Sequence, residues 1–128
     1  MEMTRQAVRT DKAPAPVGPY SQAVRAGGFV FTSGQIPLDP ATGRMVAGDI
    51  GAEAELVFAN LAAVLEAAGT SLDRAVKVLV FLTDMADFGA VNDVYARWFH
   101  EPFPARSCVA VAALPKGARV EIELVALA

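Results

Sequence analysis

The 128-residue chain has one cysteine, one histidine and one tryptophan. A lone cysteine cannot close an internal disulfide, which removes the disulfide-framed class of small domains. No His and Cys residues fall at the spacing that holds zinc, so no metal site is expected. Any Ser-His-Asp or Cys-His arrangement would have to use His100, which falls at a helix C-terminus, where the helix dipole already favours it. Basic residues are also few: 11 Lys and Arg against 14 Asp and Glu, for a net charge of −3. Tight nucleic-acid binding needs a basic field to displace counterions from phosphates, so nucleic acid is not the expected ligand. The longest apolar runs, around Val76 to Leu82 and Cys108 to Leu114, fall far short of the ~20 residues of a spanning helix. The stretch from Met1 to Lys12 carries charges of both signs and no apolar core. No secretory signal is expected from it, and the cytoplasm is the expected compartment. A glycine-rich phosphate loop of Walker type is missing too.

Apolar side chains, by contrast, are plentiful: 54% of the residues are hydrophobic. The composition excludes disorder, and the length fits one domain spanning residues 1–128. A domain of this size buries only about two thirds of the surface its unfolded chain exposes. With a membrane set aside, self-association is the leading home for the apolar surplus, because a large exposed apolar patch is a liability on a monomer.

Periodicity orders the chain. Residues 11–20 carry three prolines and predict an irregular segment. After Gly27-Gly28, Phe29 to Ser33 reads as a short strand, and Ile36 to Gly43 as a loop. Asp49 is a candidate N-cap for a helix whose stripe is Val57, Leu61, Val64, Leu65 and Ala68, with Gly69 placed to end it. Ala75 to Thr83 is apolar on both faces apart from Lys77, which predicts a strand covered on both sides. A second helix starts near Asp84 or Asp87 and buries Phe88, Val91, Tyr95, Trp98 and Phe99. Asn92 is placed on that same stripe, four residues after Phe88 and three before Tyr95. Arg106 to Ala113 and Arg119 to Leu127 are the last strands, and a hairpin centred near Lys116 would pair position 106 with about position 126. In the final strand Val120, Ile122 and Leu124 alternate with Arg119, Glu121 and Glu123. The whole predicts an α+β fold, with two helices on one face of the sheet and the other face bare in a monomer.

Several residues could carry chemistry. Arg106 stands between an apolar loop and an apolar strand, and its planar fork suits a carboxylate. That carboxylate is a ligand's, or it belongs to Glu121 or Glu123 as a structural ion pair. Glu121 poses the converse question, being a carboxylate midway along an apolar strand. Packing between subunits is one way to unite the two. Cys108 points to the same strand face as Arg106 and is either a small hydrophobe or a thiol activated by that cation. Asn92 on an apolar helix face must find partners, as a brace or as a ligand contact. Ser33-Gly34 ends a strand where small residues permit a close approach. Tyr20 follows Gly18-Pro19 in a rigid turn.

These residues occur in an ordered set: Ala13-Pro14, Val17-Gly18-Pro19-Tyr20, Thr32-Ser33-Gly34-Gln35-Ile36-Pro37, Glu66-Ala67-Ala68-Gly69, Val91-Asn92, Tyr95, Phe103-Pro104-Ala105-Arg106-Ser107-Cys108-Val109, Leu114-Pro115-Lys116-Gly117 and Val120-Glu121-Ile122-Glu123. The set resembles the RidA/YjgF family of imine deaminases over nearly the whole chain. The resemblance implies a chorismate-mutase-like subunit with a mixed, mainly antiparallel sheet. It further implies a homotrimer whose sheets line a barrel, with sites between subunits. The implied activity is hydrolysis of 2-imino acids, or their enamine tautomers, to 2-oxo acids and ammonia without a cofactor. By the same resemblance Arg106 binds the substrate carboxylate, and Glu121, helped by the backbone carbonyl at Cys108, orients water. Tyr20, Ser33, Gly34 and Asn92 shape the pocket. The segment between Phe99 and Arg106 is shorter than in familiar members, and Ala110 and Ala113 replace frequently charged positions. Two other readings stay open: a non-enzymatic trimer that binds small carboxylates or a protein partner, and a ribonuclease or translation inhibitor, against which the acidic charge counts.

Overall fold

Gly27 and Gly28 both adopt positive φ (58° and 83°), which gives a two-residue turn the twist that joins antiparallel strands. They link β2 (Ala23–Ala26) to β3 (Phe29–Thr32), and β1 (Gln6–Val8) pairs with the far side of β2. The computed structural model describes residues 4–46 and 48–128, so the first three residues of the stretch read as lacking a secretory core lie outside the described residues. Next come α1 (Ile50–Ala67), β4 (Ala75–Leu82), α2 (Phe88–Trp98), β5 (Ala105–Ala110) and β6 (Val120–Leu127). The sheet runs β1-β2-β3-β6-β4-β5, with β4/β5 its one parallel pair among the described residues. The fold is α+β, with one mixed, mainly antiparallel sheet and two helices.

The caps of α1 act as the sequence predicts. Asp49 Oδ1 accepts the Ala52 N–H at 2.8 Å. At the other end Thr70 N–H bonds Leu65 O and Gly69 N–H bonds Glu66 O, with Gly69 at φ 85°, which satisfies the last carbonyls. Both helices lie against the side chains of Val30, Val78, Val80, Leu82, Val120, Ile122 and Leu124, all buried. Phe58 sits at the centre of this layer, with ring centroids of Tyr95, Trp98 and Phe99 at 5.8, 5.9 and 5.7 Å. Full burial of such a side chain contributes about 1.5–3 kcal/mol.

The opposite face carries no helix among the described residues. Register and alternation place Phe29, Phe31, Val125, Leu127, Leu79 and Phe81 there, interrupted by Glu121, Glu123 and Lys77. Phe31 is 42% exposed and Leu127 40%, so part of the apolar surplus is on this face.

Four expectations need correction. The short strands β1 and β2 went unread; β1 is an edge strand with only Val8 buried, too short for alternation to register. The strands β5 and β6 form no hairpin: β4 lies between them, and Arg106 stands opposite Val78. A parallel β4/β5 pair needs a crossover connection, and α2 is that crossover. Arg119 does not face outward beside Glu121. It precedes β6 and reaches back to Glu53 of α1 and the Gly48 carbonyl. Asn92 is exposed, and Val94 is buried in its stead. At about 100° per residue, Val91, Val94 and Trp98 centre the buried stripe, and Asn92 falls on its rim beside Phe88.

Candidate active site

A one-residue bulge builds the first half of the site. β3 pairs with β6 up to Phe31↔Val125, and the pairing resumes at Gln35↔Ile122 with one extra residue on the β3 side. Thr32 Oγ1 accepts the Leu124 N–H at 3.0 Å within the gap. Bulges of this kind re-aim side chains beside active sites. Here the bulge carries Ser33 and Gly34 past Glu121. A Cβ added to Gly34 would stand 2.6 Å from Glu121 Oε2 and 2.7 Å from its Cδ, so the missing side chain is the space the carboxylate occupies.

Tyr20 comes from the proline segment. Its backbone N–H bonds Gly18 O at 2.9 Å, and its hydroxyl accepts the Val17 N–H at 3.2 Å, folding the ring over its own turn. The buried Gln22 pins that segment: its amide donates to Pro14 O and Thr10 O and accepts the Thr10 N–H. Ser33 Oγ donates to Ser21 O at 2.6 Å, so this hydroxyl has a bracing partner. Tyr20, Ser33, Gly34 and Glu121 line one cleft of about 310 Å³, with Val17, Ile36, Leu38 and Pro115 as apolar walls. In that setting burial, and secondarily the neighbouring Glu123, push the Glu121 carboxyl above the ordinary carboxylate range.

Arg106 and Asn92 belong to a second cleft, with Tyr95, Phe103 and Pro104. Arg106 Nη1 donates to Asn92 Oδ1 at 2.6 Å. The guanidinium carbon lies 4.7 Å from the ring centre of Tyr95 and 5.5 Å from that of Phe88. Arg106 forms no ion pair among the described residues, which rules out the structural pairing with Glu121 or Glu123 within one chain. The sheet explains why. Arg106 is opposite Val78 on the helix-covered face, whereas Glu121 is opposite Phe81 on the bare face. Two strand spacings across and three residues along β4 separate their Cα atoms by roughly 14 Å.

Cys108 shares the covered face with Arg106 and lines neither cleft. Burial pushes its thiol up, against a weaker lowering by Arg106, which disfavours the nucleophilic thiolate. His100 is exposed just beyond α2. No group of metal-ligating side chains occurs among the described residues, and no helix among them is long and apolar enough to cross a membrane. Sequence reasoning assigned no role at the site to Phe88 and Tyr95, although their spacing from Asn92, four before and three after, was the available signal.

Comparison with known proteins agrees with this architecture. The family model described as Endoribonuclease L-PSP matches residues 10–128. Protein DfrA of Myxococcus xanthus is 53% identical over 127 residues, covering 98% of this chain and 97% of its own. A 2-iminobutanoate/2-iminopropanoate deaminase of Capra hircus is 48% identical over 125 residues, covering 98% and 91%. The crystal structure of Escherichia coli TdcF with bound serine superposes with a TM-score of 0.90 at 42% identity, covering 96% of this chain and 98% of that one. Matched over nearly its whole length by both the family model and these relatives, the chain belongs to the RidA/YjgF family, in which relatives are named imine deaminases.

Proposed function

We propose that this protein hydrolyses 2-imino acids, including 2-iminobutanoate and 2-iminopropanoate, to 2-oxo acids and ammonia. The observation that carries the reading is Arg106: a half-buried guanidinium held by an amide and two rings, with no carboxylate partner among the described residues. Such a fork is suited to a substrate carboxylate. The name of the Capra hircus relative and the serine bound to the Escherichia coli relative favour an α-amino-acid-like ligand.

The chemistry needs little else. Water adds to the electrophilic C2 of the imine, its proton passing to the Glu121 carboxylate. That proton passes on to the nitrogen to give the carbinolamine, whose hydroxyl proton is then relayed through Glu121 to the same nitrogen as the C–N bond breaks, leaving C2 a carbonyl and releasing ammonia. A carboxyl raised by burial exchanges protons closer to neutral pH than an ordinary one. Holding water and imine in register supplies the remaining acceleration, with no covalent intermediate required.

Because Arg106 and Glu121 lie on opposite faces of one sheet, the site is completed by a neighbouring copy. We assign the bare apolar face to a homotrimer in which Glu121 of one protomer meets Arg106 of the next. Mixing tests both assignments at once. Arg106→Ala and Glu121→Gln proteins should each be inactive. Random reassembly of equal amounts should restore about a quarter of the wild-type rate, since about one interface in four then joins an intact Arg106 to an intact Glu121. Failure to recover activity from subunits shown to exchange would refute the shared site. Full activity in Arg106→Ala alone would refute the role of the guanidinium.

A further inference from the structure

The half of the site built around Arg106 contains two groups whose contacts exceed what packing asks of them. Phe88 and Tyr95 are seven residues apart on α2, two turns along one face, and Asn92 lies between them. The guanidinium is within cation–π distance of both rings, at 5.5 and 4.7 Å, and donates to Asn92 Oδ1. Three residues of one helix therefore hold a side chain from a strand on the other side of the crossover. An unrestrained arginine carries rotamer entropy that carboxylate binding would have to overcome.

We propose that Phe88 and Tyr95 are positioning residues that pre-form the Arg106 fork for a carboxylate. This rests on the reading of Arg106 as the carboxylate-binding group. The rings lie against the guanidinium and Asn92 engages one Nη1 hydrogen, which leaves the other N–H groups without hydrogen-bond partners among the described residues. A carboxylate can take two of those groups side by side without displacing the rings. Asn92 is suited to this place because it is neutral: an aspartate would pair with the guanidinium and compete with the ligand.

Tyr95 shows which part of the residue acts. Its hydroxyl is buried and has no hydrogen-bond partner among the described residues, and burial pushes its pKa up. The hydroxyl is thus no visible part of the clasp, while the ring touches Arg106, Phe58 and Phe99. The ring, rather than the phenol, is assigned the positioning role. The same assignment holds for Phe88, which has a ring and no polar group.

The test combines a ligand-free measurement with kinetics. Wild type, Phe88→Leu, Tyr95→Leu and Tyr95→Phe are compared by the 15N relaxation order parameter of Arg106 Nε and by KM and kcat for 2-iminobutanoate hydrolysis. Direct affinity for 2-oxobutanoate is measured alongside. Loss of one ring should lower the order parameter and raise KM and the 2-oxobutanoate Kd about fivefold, the scale of one cation–π contact, with kcat within about twofold. Tyr95→Phe, which keeps the ring, should restore the wild-type order parameter and KM. If Tyr95→Leu fails to fold because it opens the core beside Phe58, Phe88→Leu carries the same test from a half-buried position. An unchanged Arg106 order parameter in Phe88→Leu overturns the proposal, as does a Tyr95→Phe protein as impaired as Tyr95→Leu. Wild-type protein that binds 2-oxobutanoate without hydrolysing imines would reject the deaminase reading, yet the order parameters and affinities would still decide the clasp.

Discussion

The two faces of the sheet are almost equally apolar and do different work. The covered face is continuous: Val78, Val80 and Leu82 of β4 meet Val120, Ile122 and Leu124 of β6, and every one is buried under the helices. The bare face has aromatic and aliphatic side chains of similar size, but Glu121, Glu123 and Lys77 are set among them. A core tolerates no such unpaired charges. An interface does, provided the neighbour brings partners, and the carboxylates on the bare face accord with the trimer proposed above. Hydrophobicity alone does not separate a core from an association surface; the charges placed within it do.

Substitutions can break this contrast from its strong side first. Phe58→Ala removes the ring at the centre of the aromatic cluster and should cost about 3–5 kcal/mol in denaturant unfolding, with the slope unchanged. On the bare face Phe31→Asp should leave the protomer fold intact by far-UV circular dichroism. It should dissociate the assembly in sedimentation and remove activity with it, because the site is then divided. A Phe31→Asp protein that unfolds like Phe58→Ala would erase the distinction between the faces.

Smaller changes sharpen it. Gly34→Ala forces the Glu121 carboxylate aside, and displacements of about 1 Å at a reacting group lower kcat/KM by about ten- to a hundredfold. Stability should hardly change, since the cleft is open to solvent. Glu121 itself offers a pH test in the dissociated Phe31→Asp background. Its pKa is raised in the folded protomer, so its contribution is fully present below the unfolded value and lost as pH rises through the folded one. Glu121→Gln should therefore melt higher than its parent at pH 7, with the difference fading by pH 4. A gain that grows toward low pH would mean that the carboxylate is stabilised, not strained, on the bare face.

Local signals made much of this legible from the chain. Asp49 and Gly69 bracket α1 through backbone hydrogen bonds that depend only on neighbours in sequence. The alternation in β6 gave the correct faces for Val120, Ile122 and Leu124 against Glu121 and Glu123, because a strand's period is fixed by its own backbone. By contrast β4, expected to be covered on both sides, has helices against one face and leaves Leu79 and Phe81 on the other. What escaped was non-local or weak. Gly27-Gly28 is a turn signal, yet β2 carries Arg25 among short side chains, and that arginine spends its charge on the Ala68 carbonyl at the end of α1. Asn92 was placed on a buried stripe because spacing cannot tell the centre of a face from its rim. The clasp on Arg106 went unread because it joins α2 to β5.

The sequence by itself determined the helices, the strand periods, the surplus of apolar side chains and the set of residues by which the chain resembles its family. Each depends on spacing along one backbone or on composition. The tertiary structure alone decided that β4 separates β5 from β6. From that followed the opposite faces of Arg106 and Glu121 and their separation into two clefts. Strand order is set by which hydrophobic faces the helices can cover together, and no short stretch of chain carries that information.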